Sequence, residues 1–348
     1  MTLLVQTDRI RTNLRILRKQ AGKTPLIPLL EANACGLGDA AVAQVLAEEG
    51  VRTLAASRLE EGVRIAQAVR GVDILLMTPY AGEEELNTIL QHDLIAAVGS
   101  DDAAVLLSSL SRRMRCRARA QLCFDFGMGR FGYAPQEAAK AAQTIKHLEN
   151  VELSGVFTVL PEVRRENRKQ LAQQARDFQK VLAAVEREGI RPPLIHMADF
   201  HHLTEYREMT MGAVRISGDL FGRGSQKEKH GLKKVGRPVS AICDMKWLPP
   251  GATVGDDGRC RVGKAVRVAV VPAGRADGLF PGGESAGFRL LRKKPMCEIN
   301  GKKAAVIGQV GLTALTVDVT GISCSPGDIV TFDADPLYIS AFARRDYV

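Results

Sequence analysis

Apolar positions change their spacing several times along the chain, and each spacing predicts a different element. Residues 7–20 carry Ile10, Leu14 and Leu17 at helical intervals, which predicts an amphipathic helix. Eight short apolar runs follow, with stretches rich in Ala, Glu, Leu and Gln between most of them. This alternation predicts strands joined by helices. The eight runs read PLIPLL, RTLAAS, DILLMTP, LIAAVG, RARAQLCFDF, LSGVFTVL, PLIHMA and GAVRIS.

Eight strand–helix units in succession are typical of a closed parallel (β/α)₈ barrel. An open doubly wound sheet uses fewer strands and usually a glycine-rich first turn of the form GxGxxG, which this sequence lacks. We therefore predict an α/β fold that begins with such a barrel.

The pattern changes from about Gly236 onward. The runs VRVAVVPA, KAAVIGQVGL and ALTVDVTG are β-branched and are separated by Gly, Pro and Asp, which predicts a mostly-β domain. The dipeptide Asn300-Gly301 favours a type I′ hairpin turn. We place the barrel at 1–230, with its first few residues free to join the second domain, and the C-terminal β domain at 236–348.

Composition adds few restrictions. The 348 residues are 45% hydrophobic, and no apolar run approaches the ~18–20 residues that span a bilayer. The N-terminal apolar stretch is too short for a signal peptide, so a cytoplasmic location without membrane association is expected.

No pair of cysteines has CxxC spacing, which argues against a disulfide framework and a zinc site. The seven are Cys35, Cys116, Cys123, Cys243, Cys260, Cys297 and Cys324.

The formal net charge of +9 raises the question of an anionic partner. Its densest basic stretch, residues 222–237, is rich in glycine and contains no aromatic residue. Proteins that bind single-stranded nucleic acid place stacking aromatics between their cations, so a solvated basic linker is the favoured interpretation. A small anionic ligand or an acidic partner stays open.

The stretch HMADFHH gathers His196, Asp199, His201 and His202 at the end of a predicted strand. Histidine and aspartate are common metal ligands, but this spacing matches no known zinc pattern. Asp199 as the N-cap of a helix that starts here explains the stretch more simply. We therefore expect no metal site.

Five motifs in order resemble those of the alanine racemase family, which are pyridoxal-phosphate (PLP) amino-acid racemases. EANACGLG is similar to KANAYGHG, FDFGMGRFGY to VDTGMGRLGF, VRISGDLFG to VRPGIALYG, VPAGRADG to IPIGYADG, and IGQVGLTALTVDVT to VGRVCMDQLMVDVT. The ending ARRDYV is similar to a terminal arm with a phosphate-binding tyrosine. The resemblance implies a PLP-binding-type barrel, a C-terminal β domain and a head-to-tail homodimer.

The resemblance also implies that both acid/base groups of the family are replaced here. Glu31 stands at the position of the lysine that forms a Schiff base with PLP, and a carboxylate cannot do so. Arg275 stands at the position of the tyrosine that the partner subunit presents, and a guanidinium is a poor proton acceptor. We expect no covalently bound PLP, whereas non-covalent PLP or a phosphate-like anion stays open.

Other positions of the resembling site are partly retained. Arg215 matches the arginine facing the pyridine nitrogen, and Arg130 the arginine near the phenolic oxygen. Ser217 and Gly218 match a small backbone nest for phosphate. The ligand-binding residues that we expect are Arg130, Arg215, Cys35, Cys123, His196, Asp199, Ser217, Gly218 and Tyr347.

Three functions are consistent with this pattern. The first is a non-catalytic racemase homologue that binds an anionic metabolite in a pocket lined by Arg130, Arg215 and Arg275, or regulates an active paralogue by dimerising with it. In such a dimer, Glu31 of one subunit could pair with Arg275 of the other.

The second function is a PLP-independent enzyme acting on an amino acid or phosphorylated molecule, with Glu31 as general base. A variant of it uses Cys35 and Cys123 as a thiol pair, their pKa values lowered by the arginines. The third is a basic nucleic-acid binder.

Overall fold

The computed structural model describes residues 1–161, 168–223, 227–280 and 296–348. These residues form two compact units. The β-rich unit comprises Met1–Asp8, Cys35–Gly38 and Val235–Val348, and the barrel unit comprises Arg9–Ala34 and Asp39–Lys234. The first strand, β1 (Thr2–Val5), belongs to the β-rich unit.

The barrel unit is built on eight parallel strands. Six of them form one sheet, in which the first strand pairs with the last, and the other two form a parallel pair. Parallel bridges from Leu29 to Ala55 and from Leu75 to Ile95 connect the pair to the sheet on both sides, so the ring is closed. The predicted barrel is confirmed. Its strands are β2 (Leu26–Pro28), β3 (Thr53–Ala56), β4 (Asp73–Leu76), β5 (Ala96–Val98), β6 (Ala118–Asp125), β7 (Val151–Val159), β8 (Leu194–Asp199) and β9 (Ala213–Ile216).

Helices follow most of these strands and bury one apolar face each. The helix Thr7–Ala21, which precedes β2, buries Ile10, Leu14 and Leu17 as its spacing predicts. Ser100 caps a later helix through a hydrogen bond from the Ala103 N–H. The remaining α-helices are Asp39–Glu48, Leu59–Ala68, Glu83–Gln91, Asp101–Arg113, Ala138–Lys146, Arg168–Arg187, Phe200–Glu205 and Lys227–His230.

Side chains fill the barrel interior, as in other barrels of this size. The inward-facing residues come from alternate positions of most of the strands and are mainly apolar. Polar groups that can act on a ligand therefore lie at the ends of the strands. The buried cluster consists of Ile27, Ala55, Leu75, Met77, Ile95, Ala97, Cys123, Phe157 and Ala213.

The β-rich unit contains a nine-stranded sheet, in the order β11-β14-β17-β16-β15-β18-β10-β1-β19. It is antiparallel except between β1 and β19. Asn300 and Gly301 have φ of 48° and 75° in the turn between two of its strands, which confirms the predicted hairpin. Strands after β9 are β10 (Arg237–Ala241), β11 (Asp244–Leu248), β12 (Thr253–Val254), β13 (Cys260–Arg261), β14 (Val266–Val271), β15 (Met296–Ile299), β16 (Lys302–Ile307), β17 (Leu315–Asp318), β18 (Ile329–Phe332) and β19 (Arg344–Tyr347).

Within the described ranges, none of the helices has the length and apolar character needed to cross a bilayer.

Candidate functional site

A left-handed turn follows β2 and fixes the position of Glu31. The next four residues, Ala32, Asn33, Ala34 and Cys35, have φ of 51°, 57°, 51° and 54°. None of them is glycine, and the left-handed conformation costs an L-residue roughly 1–2 kcal/mol. Four such residues in a row persist only where surrounding contacts hold them.

Glu61 provides these contacts from the helix Leu59–Ala68. Its carboxylate, 4% exposed, accepts hydrogen bonds from the backbone N–H of Asn33 and of Arg58, both at 3.1 Å. The Asn33 side chain in turn accepts a hydrogen bond from the Asp39 N–H at 2.9 Å. Asp39 is itself buried and paired with Arg64 at 2.6 Å. The strained turn is thus tied to two helices of the barrel unit.

The Glu31 carboxylate is half-buried and bound by two hydroxyl groups. Ser217 Oγ, directly after β9, donates to Oε1 at 2.9 Å, and Ser57 Oγ, directly after β3, donates to Oε2 at 3.4 Å. Hydrogen bonds to an ionised acceptor are stronger than neutral ones. The carboxylate is therefore held in one orientation at the carboxyl ends of three strands.

Arg215 is 6% exposed and its guanidinium faces the backbone of the barrel. Nη2 donates to the carbonyl oxygens of Thr158 at 2.9 Å and Met197 at 3.0 Å, and Nη1 lies 2.5 Å from His196 Nδ1. Burial lowers the pKa of Arg215 to about 10, against the opposite effect of Asp199, Cys123 and Glu31. Arg215 is therefore still cationic at neutral pH.

His196 is fully buried and connects Arg215 to the barrel interior. Its ring stacks on Phe157, with centroids 5.0 Å apart and an interplanar angle of 4°. Burial and the charge of Arg215 lower its pKa well below the ordinary value, so the ring is neutral. Because a guanidinium only donates, Nδ1 accepts and Nε2 donates to Gln121 Oε1 at 2.9 Å.

Two aspartates flank Ser217. Asp199, at the end of β8, caps the helix Phe200–Glu205 and accepts hydrogen bonds from His202 N at 2.9 Å and Nδ1 at 2.7 Å. Desolvation raises its pKa, but the contacts with His202 outweigh this and the pKa falls to about 2. For the half-buried Asp219, burial and the nearby Asp199 raise the pKa to about 6, although its own backbone N–H donates to it. The N-cap prediction for Asp199 is confirmed.

Cys123 lies in the interior below a small open pocket that Arg130 borders. Burial raises the pKa of its thiol to about 12, although Arg215 and Arg130 act in the opposite direction. The arginines act in the expected direction, but the expected net lowering of the Cys123 pKa is wrong, because desolvation dominates. The pocket is shallow and opens to solvent, and it is lined by Cys123, Phe124, Asp125, Met128, Arg130, Phe131 and Val159.

Arg130 itself is exposed at the edge of this pocket. Its guanidinium carbon lies 5.3 Å from the centroid of the Phe131 ring, within the range of a cation–π contact. Nη2 lies 3.4 Å from Met128 Sδ. Both contacts position the charge without neutralising it.

Gly218 begins a short 3₁₀ turn of the barrel unit, directly after Ser217. The remaining predicted residues, Tyr347, Cys35 and Arg275, belong to the β-rich unit. The Tyr347 hydroxyl donates to the Leu37 carbonyl oxygen at 3.0 Å, close against Gly38, whose φ is 102°. Cys35 is buried. Arg275 is exposed in a short 3₁₀ turn, and its backbone N–H donates to the Gly311 carbonyl oxygen. Convergence of Arg275 with Arg130 and Arg215 stays a prediction.

Some residues of the site were missed from the sequence. Ser57 directly follows β3, and the rule that such positions carry function would have found it. Gln121, inside β6, and Asp219, in the 3₁₀ turn after β9, lie outside that rule. Among the described residues, no three His, Cys, Asp or Glu side chains are grouped so as to hold a metal ion.

The fold and the site together define a two-domain protein: a (β/α)₈ barrel whose polar groups gather at the strand ends, with a β-rich second unit. The family model of the alanine racemase N-terminal domain matches residues 5–222, and that of the alanine racemase C-terminal domain matches residues 235–343. The chain therefore belongs to the alanine racemase family.

Relatives and solved structures agree with this assignment. An alanine racemase of Carboxydothermus hydrogenoformans is 28% identical over 330 residues, which cover 93% of this chain and 87% of the relative. One of Clostridium novyi is 26% identical over 331 residues, covering 93% and 82%. The structure of an alanine racemase of Clostridium difficile 630 has a TM-score of 0.89 at 22% identity, covering 100% of this chain and 95% of that chain. That of Bartonella henselae, with covalently bound pyridoxal phosphate, has a TM-score of 0.81 at 21% identity and covers both chains fully.

The residues at the strand ends do not fit the PLP that the Bartonella henselae structure contains. The Glu31 carboxylate cannot form an imine with the aldehyde of such a cofactor, because that bond requires an amine. The Ser217 hydroxyl already donates to Glu31. It is therefore engaged by a carboxylate of the same chain and is not available as a donor to a phosphate group.

Proposed function

We propose that this chain is a non-catalytic member of the alanine racemase family. The observation that carries the proposal is the Glu31 carboxylate, held by Ser217 and Ser57 at the end of the first barrel strand. By resemblance this is the position of the PLP lysine, and Arg275 is at that of the catalytic tyrosine. A carboxylate and a guanidinium cannot replace an amine nucleophile and a phenol in a two-base racemisation.

We propose two roles for such a protein. One is binding of a small anionic metabolite, supported by Arg130, whose charge is exposed at the edge of the small open pocket. The other is assembly with a copy of itself or with an active paralogue. If family members build each site from two subunits, a subunit without the reacting groups regulates its partner by completing its site or leaving it incomplete.

A PLP-independent enzyme is the second candidate. Its support is the placement of an oriented, half-buried carboxylate at the strand ends, where barrel enzymes carry their reacting groups. Glu31 would then act as a general base on the Cα–H of an amino acid or on a phosphorylated substrate. The thiol variant of this mechanism is disfavoured by the raised pKa of Cys123.

Two measurements on the purified protein test these functions. The first follows loss of the Cα–H signal of L-alanine and other amino acids in D₂O by NMR, with and without PLP. The second records absorbance after incubation with PLP and dialysis, since a lysine–PLP Schiff base gives a band near about 420 nm. The non-catalytic proposal predicts neither exchange nor a persistent band. Cα–H exchange without PLP would favour the PLP-independent enzyme. A persistent absorbance band together with Cα–H exchange would show that the chain is a PLP-dependent racemase.

The place of the protein in the cell and its binding to nucleic acid can also be inferred. We infer a cytoplasmic location, supported by seven cysteines that form no disulfide within the described residues, which is typical of a reducing compartment. Nucleic-acid binding is the weakest of the three functions. Its test is the dependence of any observed binding on salt, which is steep for phosphate contacts.

A further inference from the structure

One short piece of the first β/α connection of the barrel belongs to the β-rich unit. This piece, Cys35–Gly38, stands in the chain between the barrel segments Arg9–Ala34 and Asp39–Lys234. Cys35, with φ of 54°, is also the last residue of the left-handed turn that follows Glu31. Contacts that fix Cys35–Gly38 therefore fix the far end of that turn.

Two side chains of strand β19 bind main-chain carbonyls of this piece. Arg345 Nε donates to the Gly36 carbonyl oxygen at 2.8 Å, and the Tyr347 hydroxyl donates to the Leu37 carbonyl oxygen at 3.0 Å. Side chains two positions apart in a strand project from the same face. One face of β19 thus holds two consecutive carbonyls of the connection.

Glycine permits this close approach. A Cβ atom at Gly38 would overlap the Tyr347 hydroxyl, and one at Gly36 would overlap the Pro336 carbonyl oxygen. The two glycines have φ of 102° and 84°, which residues with a side chain rarely adopt. The backbone of Cys35–Gly38 therefore packs directly against the C-terminal part of the chain.

Strand β19 is a firm support for the two donors. It pairs in parallel with β1, where Arg345 lies opposite Leu3 and Tyr347 opposite Val5, and both of these β1 residues are fully buried. Nη1 of Arg345 also donates to the Ala343 carbonyl oxygen at 2.8 Å. The guanidinium thus has a second anchor, which keeps Nε directed at the connection.

The near end of the left-handed turn is held separately, by residues of the barrel unit. Glu61 accepts a hydrogen bond from the Asn33 N–H, and the Ser217 and Ser57 hydroxyls donate to Glu31. Positive φ is unfavourable for each of the L-residues of the turn. A strained backbone of this kind persists only where its surroundings determine it, so the turn needs both of its ends held.

We propose that Arg345 and Tyr347 are positioning residues for the candidate site. Acting through Cys35–Gly38, they keep the turn after Glu31 left-handed and so hold the Glu31 carboxylate at the ends of the barrel strands. By sequence, Tyr347 resembles a phosphate-binding tyrosine, but its single hydroxyl hydrogen is donated to a main-chain carbonyl. The proposal goes beyond the proposed function, since it applies to any ligand or reaction of Glu31.

Two substitutions remove the hydrogen bonds with little change of shape. Tyr347→Phe keeps the ring, and Arg345→Met keeps the length of the side chain; they are made alone and together. The matched control is Arg344→Met, which removes the same charge from the adjacent residue of β19. Arg344 is exposed, and its guanidinium contacts Asp346 of the same strand.

Two readouts separate a local effect from a loss of global stability. Hydrogen exchange of peptides that cover residues 30–38 is measured by mass spectrometry, with peptides from β6 as the reference for global opening. The second readout is the side-chain carboxyl ¹³C resonance of Glu31, assigned by its absence in Glu31→Gln.

We expect exchange over residues 30–38 to be faster by at least about tenfold in the double variant, because two hydrogen bonds are lost. Tyr347→Phe alone should accelerate it by about threefold. The Glu31 resonance should shift in the double variant. In Arg344→Met, exchange should stay within about twofold of wild type and the Glu31 resonance should not move.

Unchanged exchange over residues 30–38 in the double variant would overturn the proposal. So would an acceleration of β6 by the same factor, because the loss would then be one of global stability. An unmoved Glu31 resonance would refute it as well, since the turn would not position the carboxylate. None of these results depends on whether the chain catalyses Cα–H exchange, so the proposed function is tested separately.

Discussion

The two ends of the barrel hold their charged side chains in different ways. At the amino ends of the strands, Arg119 pairs directly with Asp73 and Asp93. At the carboxyl ends, Glu31 contacts serine hydroxyls, and the buried Arg215 contacts carbonyl oxygens and a neutral histidine. The ion pairs at the first end are exposed to solvent and contribute little to stability. At the second end, Glu31 and Arg215 are oriented by neutral partners, which is an arrangement suited to binding.

The largest expected effect is at the strained turn of the carboxyl end. Glu61→Ala removes the charged acceptor of the Asn33 and Arg58 N–H groups, and we expect a loss of about 3 kcal/mol in the free energy of unfolding. Urea unfolding measures it. Glu60→Ala, an exposed neighbour in the same helix turn, is the control and should change stability by about 0.5 kcal/mol at most. Equal losses would mean that Glu61 does not hold the turn.

Asp219→Asn should stabilise the protein in a pH-dependent way. The pKa of Asp219 is raised to about 6, so its ionisation destabilises the folded state as the pH rises from about 4 through 6. We expect a gain of about 2 kcal/mol at pH 8 and none near pH 4. Unfolding free energies at both pH values give the answer. A gain of the same size at pH 4 would assign the effect to packing and not to charge.

A smaller effect distinguishes the two hydroxyl partners of Glu31. Ser217→Ala loses the shorter hydrogen bond, 2.9 Å, and we expect a cost of about 1 kcal/mol. Ser57→Ala loses the one of 3.4 Å and should cost less than half of that. Thermal unfolding of the two variants side by side makes the comparison. The reverse order would show that Ser57 is the main partner.

The smallest effect is expected at the amino ends of the strands. Arg119→Met breaks ion pairs whose carboxylates, Asp73 and Asp93, are 52% and 81% exposed. Such pairs contribute about 0.5 kcal/mol, and the difference from wild type should shrink in about 1 M salt. If Arg119→Met lowered the free energy of unfolding as much as Glu61→Ala does, the two ends of the barrel would not differ in how their charged side chains contribute to stability.

Much of the fold follows from local sequence, whereas the site does so only in part. Each barrel strand is a short buried run, and its neighbour is the next such run along the chain, so the alternation is sufficient to predict the barrel. The left-handed turn is different. Local preference opposes positive φ at Ala32, Asn33 and Ala34, and the turn is held by tertiary contacts such as that of Glu61, 28 residues from Asn33.

Contacts between residues that are distant in the sequence also decide the charge states, which limits their prediction. Arginine positions in the sequence suggested an acidic thiol at Cys123, but complete burial has the larger effect. Asp219 was missed because its raised pKa depends on Asp199, which ends a neighbouring strand. Such effects depend on distances between strands, which a single sequence does not contain.

The pairing of β1 with β19 has a consequence for how the chain is made. The first strand lies between β10 and β19, and the Val348 carbonyl oxygen accepts hydrogen bonds from the Thr7 N–H and hydroxyl. Strand β1 is synthesised long before its partner β19, which lies more than 300 residues later in the chain. The nine-stranded sheet is therefore incomplete until residues 344–347 have been made, and until then this side of β1 is an unpaired strand edge, the kind of edge on which chains aggregate.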